Sequence, residues 1–317
     1  MATTTDASVT VIVPTFEQPI VLARALTSLR DQSETVRVLV VNNGGDPAPV
    51  DQVVASITSS STPLSTHLTV QHRSRHDERG ALIKDALADV STPYVAILDD
   101  SQTWRATCAA VAVTCLVDNP NAAAVCVGYD VAHEKMIEER VWPRRNEAMS
   151  RQIGDVSLAS LLSGVNIPEH SMIYRTQAIR DAGGVNDTLT HLVMWDLNVR
   201  LASTSHIAVV KTPLVTLHVR ESDSETEEKT RQSVEDERHV LVSSWLNETL
   251  PGGANKGQCA LDALAYRNRE DELRQLREEN AALRKEIANF HGLSSRALRA
   301  ALQPKKLLRA VQRRTKK

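Results

Sequence analysis

The sequence predicts an α/β fold: a mixed, mostly parallel sheet flanked by helices, followed by a C-terminal coiled-coil helix. Three observations predict it. Short continuous apolar runs at 9–13 (VTVIV), 36–41 (VRVLVV) and 94–98 (YVAIL) read as strands buried on both faces. Those runs alternate with segments whose apolar residues recur at helical spacing, the pattern of right-handed βαβ units and a parallel sheet. From Tyr266 onward the apolar spacing changes to a seven-residue repeat.

In chain order, the first strand ends in Pro14-Thr15, and 20–29 then place Leu22, Ala25, Leu26 and Leu29 at helical spacing. The second strand ends in Asn42-Asn43-Gly44-Gly45, a turn signal. Residues 50–57 read as helix, 58–63 (TSSSTP) as loop and 67–71 as a third strand. After the charged RSRHDERG, 81–90 read as helix and 94–98 as the fourth strand. The second half is less regular. It offers a helix at 106–118, a strand at 122–128 and a polar, Arg-rich segment at 133–151. A strand at 171–174, helices at 176–182 and 195–202, and strands at 207–210 and 214–219 close the sheet.

Composition sets bounds. Hydrophobic residues make up 42% of the 317, enough for a sizeable core, and with 3% aromatics Val, Leu, Ile and Ala must fill it. A net charge of −2 gives no overall pull toward nucleic acid. No stretch approaches the roughly 18 apolar residues of a membrane span, and the first residues do not read as a signal peptide. Cys108, Cys115, Cys126 and Cys259 lack CxxC spacing and read as buried thiols of a reducing cytoplasm.

The rest of the chain is organised around 91–104, STPYVAILDDSQTW. Asp99 and Asp100 stand where the fourth strand stops, at the edge where open α/β sheets bind ligands. Neighbouring side chains of a strand point to opposite faces, so one acid can look into a crevice while the scaffold holds the other. A strand-ending turn in which Asp caps backbone amides suits the same residues.

VTVIVPTF, VLVVNNGG, ALIKDALADVSTPYVAILDD, MIYRTQAIRDAGGVND and DLNVRLA, in that order, resemble a family 2 glycosyltransferase of the GT-A fold. The resemblance runs over about two thirds of the chain. It implies transfer of a sugar from a nucleotide-sugar donor to an acceptor hydroxyl, with inversion, in cell-surface glycan or glycolipid synthesis. By the same resemblance Thr15 and Asn42, with Glu17 and Asn43 nearby, hold the base; Arg79 meets the phosphates; and Asp99 and Asp100 hold ribose and diphosphate. A guanidinium suits a diphosphate because it bonds two oxygens together. Gly183-Gly184 matches a turn that lets backbone approach donor and acceptor, and is equally a helix C-cap.

Two positions depart from the family. Its metal motif is Asp-x-Asp, and here Ser101 falls where the main ligand of a divalent ion (Mn or Mg) is expected, leaving Asp100 and His218 as candidate ligands. Its catalytic base lies six residues before the Arg of WDLNVR, where this chain has Met194. Asp196, His191 and Asp187 are the nearby candidates to take the acceptor's proton. Those departures motivate the competing reading, a degenerate binding or scaffold protein. A nucleotidyltransferase is disfavoured because no Gly-rich phosphate loop follows the first strand. A processive polysaccharide synthase is disfavoured because Gln-x-x-Arg-Trp is absent.

The expected organisation is a catalytic domain at 1–220, an acidic loop and helical connection at 221–256, a coiled-coil helix at 257–292 and a basic amphipathic tail at 293–317. In the heptad Tyr266, Leu273, Asn280 and Ile287 take position a; Arg269, Leu276, Leu283 and Phe290 take d. Glu at g and Arg at the following e favour parallel strands, and one Asn at a favours two of them, so a parallel homodimer is expected through 266–290. A single helix packed on the domain fits the same pattern. The tail, rich in Lys and Arg with interspersed Leu, suits an anionic membrane surface, placing the protein in the cytoplasm at the inner face of the membrane; a plain solvated tail is the alternative. Nucleic acid is a poorer partner, because no aromatic residues are interleaved.

Overall fold

The computed structural model describes residues 7–59, 67–137, 140–148, 153–164, 167–220 and 224–301. The chain divides into two compact units, Met1–Ala263 and Leu264–Lys317. The tail beyond residue 301 lies outside the described residues.

The expected α/β sheet forms. Its left half is parallel: β1 (Val9–Thr15) lies between β2 (Val36–Asn42) and β4 (Tyr94–Ile97), and β3 (His67–His72) pairs the outer side of β2. Residues of β1 and β4 are almost all buried, as continuous apolar runs require when helices cover both faces. Crossovers are made by α1 (Pro19–Arg30), α2 (Pro47–Thr58) and α3 (Arg79–Ala88). Pro19 starts α1, where its missing N–H costs nothing, and Val21, Leu22, Ala25, Leu26 and Leu29 form its buried stripe. Asp46 caps α2 by accepting from the Ala48 amide.

The right half departs from the parallel pattern. A two-residue strand β5 (Thr103–Trp104) precedes α4 (Cys108–Asp118). Then come β6 (Ala122–Ile137), β7 (Arg140–Ala148), the short helix α5 (Leu158–Leu162), β8 (Met172–Arg175), α6 (Thr176–Asp181), α7 (Val193–Thr204) and β9 (His206–Arg220). The sheet order is β3-β2-β1-β4-β8-β6-β9-β5, with β7 hydrogen-bonded to β6. β8 runs antiparallel to both β4 and β6.

Two expectations are corrected here. The polar stretch expected as irregular is largely strand, because β6 continues to Ile137 with β9 on one side and β7 on the other. Those pairings satisfy its backbone, whatever its side chains. The strands expected at 207–210 and 214–219 are one, β9. The β6–β9 register shifts on both sides of Gly128, opposite Pro213. A Cβ on Gly128 would stand 2.5 Å from the carbonyl oxygens of Lys211 and Thr212, so only glycine admits this bulge.

In the connecting region, expected as an acidic loop and helical connection, α8 (Ser224–Ser244) is helical; its Leu241 and Val242 are buried, as is Trp245 just after it. α9 (Lys256–Ala301) follows. The thiols of Cys108 and Cys126 are free and buried, and burial pushes Cys126 up to about 12. Among the described residues no helix is long and apolar enough to cross a membrane.

Candidate active site

Strand register assembles the site. β1 and β4 are parallel with Ile12 opposite Ile97. Continued upward, that register sets Thr15 level with Asp100, and the Thr15 hydroxyl donates to Asp100 Oδ2 at 2.8 Å. β4 and β8 are antiparallel with Ala96 opposite Ile173. Continued, it sets Asp99 level with His170: the Asp99 amide donates to His170 Nδ1 at 3.4 Å, and His170 Nε2 lies 3.7 Å from Asp99 Oδ2. Trp104, buried in β5, fixes this corner by donating its indole N–H to the His170 carbonyl at 3.1 Å.

From the first turn of α3, Arg79 donates to Asp99 Oδ1 at 2.7 Å and also to the Glu169 carboxylate. α3 can bring Arg79 this close because residue 80 is glycine. A Cβ there would stand 2.6 Å from the Asn186 and Leu189 carbonyl oxygens. These groups border a cleft of about 330 Å³ lined by Thr15, Phe16, Asn43, His76, Arg79, Asp99, Asp100 and Thr190, among others. It opens beyond the carboxyl ends of β1 and β4, where α/β sheets bind ligands.

The two carboxylates differ. Burial pushes Asp99 up, but Arg79 and His170 outweigh it and hold the carboxyl below the usual range. Asp100 has a hydroxyl donor in place of a guanidinium, and burial together with the neighbouring Asp99 charge pushes it up to about 6. A pair of carboxylates so separated keeps one permanently charged and one titrating close to neutrality.

A second polar group lies behind Ser101. Arg24 Nη2 donates to the Ser101 carbonyl at 2.9 Å, while Nη1 bonds both oxygens of Glu134, at 2.8 and 2.9 Å. His218 Nδ1 lies 2.5 Å from Glu134 and Nε2 lies 2.9 Å from the Thr103 hydroxyl. Burial and Arg24 lower the imidazole's pKa, against the opposing pull of Glu134. Its two nitrogens are thus engaged with Glu134 and Thr103 rather than with Asp100. Among the described residues, the group able to hold a cation is Asp99, Glu169 and His170, whose ligand atoms lie within 4.8 Å of one another. Two carboxylate oxygens suit a divalent cation such as Mn, and Arg79 is bonded to both of those carboxylates.

The other expected site residues are distributed as follows. Asn42 is fully buried, its amide donating to the Gly45 carbonyl at 2.9 Å, while its Oδ1 has no partner. Asn43, not Asn42, lines the cleft. Glu17 turns the chain at a positive φ of 52°. Asp196 is buried and paired with Arg200 at 2.8 Å. Arg200 in turn donates to the carbonyls of Ala182 and Gly184, so the pair clamps the double-glycine turn. Gly184 borders a separate 210 Å³ hollow with Asp196 and Trp245. Met194 is itself buried in α7. His191 is exposed and follows Thr190 of the cleft, its Nε2 3.0 Å from the Ser233 hydroxyl. Glu237 of α8 accepts from the amides of Thr190, His191 and Leu192, an anion at the start of α7. Asp187 pairs with Lys84.

Sequence reasoning missed Phe16, His76, Glu169 and His170. Phe16 is 42% exposed at the cleft, with His76 edge-on at 4.9 Å. An exposed Phe directly after the first strand's Pro-Thr was the available signal. Glu169-His170 had a weaker one, a charged pair immediately before a buried strand.

The glycosyl transferase family 2 model matches residues 10–180. No curated protein sequence matches the chain. Among solved structures, S. aureus TarS 1-349 in complex with UDP-GlcNAc superposes with a TM-score of 0.59 at 17% identity, covering 81% of this chain and 71% of that one. The mannosyltransferase PcManGT from Pyrobaculum calidifontis, in complex with GDP-Man and Mn2+, gives 0.56 at 17% identity, covering 88% and 81%. A further TarS structure is matched over 43% of its length, at 15% identity. These likenesses are of fold.

Proposed function

The chain belongs to glycosyl transferase family 2, and on that premise we propose that it moves a sugar from a nucleotide diphosphate to an acceptor hydroxyl with inversion. The observation that supports this best is the meeting of Thr15, Arg79, Asp99 and Asp100 at one cleft beyond β1 and β4. In the reaction the acceptor oxygen attacks the anomeric carbon from the face opposite the diphosphate. The bond from that carbon to the phosphate oxygen breaks, the nucleoside diphosphate leaves, and the acceptor proton passes to a base. In this reading Asp99 and Asp100 orient the ribose and diphosphate, and Arg79 turns from Glu169 to the phosphates. A divalent ion, held by Asp99, Glu169 and His170, would neutralise diphosphate charge.

The base of the donor stacks on Phe16 in this reading. At least one of UDP, GDP, CDP and ADP is expected to raise the melting temperature, and further with Mn2+. Equal, negligible shifts with all four nucleotides would sink the donor assignment.

With Asp196 sealed in its ion pair, His191 is the proposed base. His191→Asn is expected to cut kcat about 100-fold while leaving the nucleotide-induced thermal shift in place. Unchanged kcat would return the role to another group. The acceptor in this proposal is a cell-surface glycan or a lipid-linked sugar met at the inner face of the membrane.

A further inference from the structure

α9 presents its apolar residues to solvent. Tyr266 is 66% exposed, Leu273 44%, Leu276 55% and Leu283 57%. They recur at alternating seam positions of one continuous helix, Lys256–Ala301, with Asn280 among them. A stripe of large apolar side chains at 3.5-residue spacing is the half of a two-helix interface, and it loses free energy while it stays wet. Burial of each such side chain contributes about 1.5–3 kcal/mol.

We propose that this seam is covered by the same seam of a second copy of the chain, parallel and in register. Charge identifies the occupant. Glu272 and Glu279 flank the seam on one side; Arg277 and Arg284 flank it on the other, five residues further along. Two parallel copies set each Glu beside the partner's Arg at the next turn pair. Antiparallel copies would instead set Glu against Glu and Arg against Arg, which repel. Asn280 fixes the register. In register, the two Asn280 amides meet and satisfy each other; shifted by a heptad, each would be buried against an apolar residue without a partner. A foreign helix would need to reproduce both the charge order and the Asn, whereas a second copy supplies them automatically.

The test uses the full chain and is independent of the donor assignment. Light scattering coupled to gel filtration is expected to give twice the chain mass for the native protein. For Leu273→Lys/Leu276→Lys the mass should fall twofold, with the urea midpoint reported by the fluorescence of the buried Trp195 and Trp245 retained as a check on folding. Asn280→Cys should form an intermolecular disulfide on mild oxidation, above the level the native cysteines give, because parallel in-register seams place the two thiols face to face. A native protein that is monomeric at every concentration overturns the proposal. So does a dimer that survives the double lysine substitution, or an Asn280→Cys chain that does not cross-link.

Discussion

Replacing Asp100 with Asn is expected to make the protein more stable at pH 7.5 while reducing glycosyl transfer by at least about 100-fold. The stability gain follows from linkage. Asp100 rises from an ordinary 3.8 to about 6 on folding, chiefly through burial. Over that interval the folded state holds a proton that the unfolded state has lost, so stability falls as pH rises from about 4 to about 6 and stays low above it. The shift corresponds to roughly 2–3 kcal/mol at neutral pH. Asn removes the charge, keeps an oxygen for the Thr15 hydroxyl, and restores much of that. The gain should vanish below pH 4, where the native carboxyl is protonated in both states. Transfer falls because the lost charge faces the cleft, and groups of this kind are worth two to three orders of magnitude in rate. Thermal melts at pH 3.5 and 7.5, set beside single-turnover transfer, check both halves. A destabilised variant, or a stabilised one with undiminished transfer, would show that Asp100 is a scaffold residue.

Arg200→Ala is expected to cost about 3–5 kcal/mol of stability, the usual result of stranding one member of a buried ion pair. Asp196 keeps only 5% of its side chain exposed and would lose both contacts at 2.8–2.9 Å. The carbonyls of Ala182 and Gly184 would lose their guanidinium donor as well. Adding Asp196→Ala to Arg200→Ala should recover part of the loss, because the stranded carboxylate goes with it. Urea melts of the two single variants and the double variant supply the cycle. Equal losses in the Arg200→Ala and double variants would mean that the clamp on the glycine turn, not the charge pair, carries the stability.

Much of the architecture was legible because its signal is local. The apolar runs of β1, β2 and β4 each declare a buried strand without reference to anything else in the chain, and the stripe of α1 follows from its own spacing. The β6–β7 pair was illegible for the opposite reason. Its polar residues are carried in the sheet by hydrogen bonds to β9 and to each other, a property of its neighbours. The site divides in the same way. Thr15, Asp99 and Asp100 end strands that the pattern already shows to be adjacent and parallel. His170 lies 71 residues from Asp99 in sequence, and Glu134 lies 84 residues from His218.

The sequence by itself therefore determined the strands and helices of the parallel half, that acids close the fourth sheet segment, and that the C-terminal helix has an apolar seam. Only the tertiary structure decided what those acids meet. Antiparallel insertion of β8 beside β4 brings Glu169 and His170 to Asp99, and Asp196 is buried in an ion pair with Arg200. The physical reason is that side-chain periodicity is written within a few residues, whereas strand order and register are settled by packing between segments far apart in the chain.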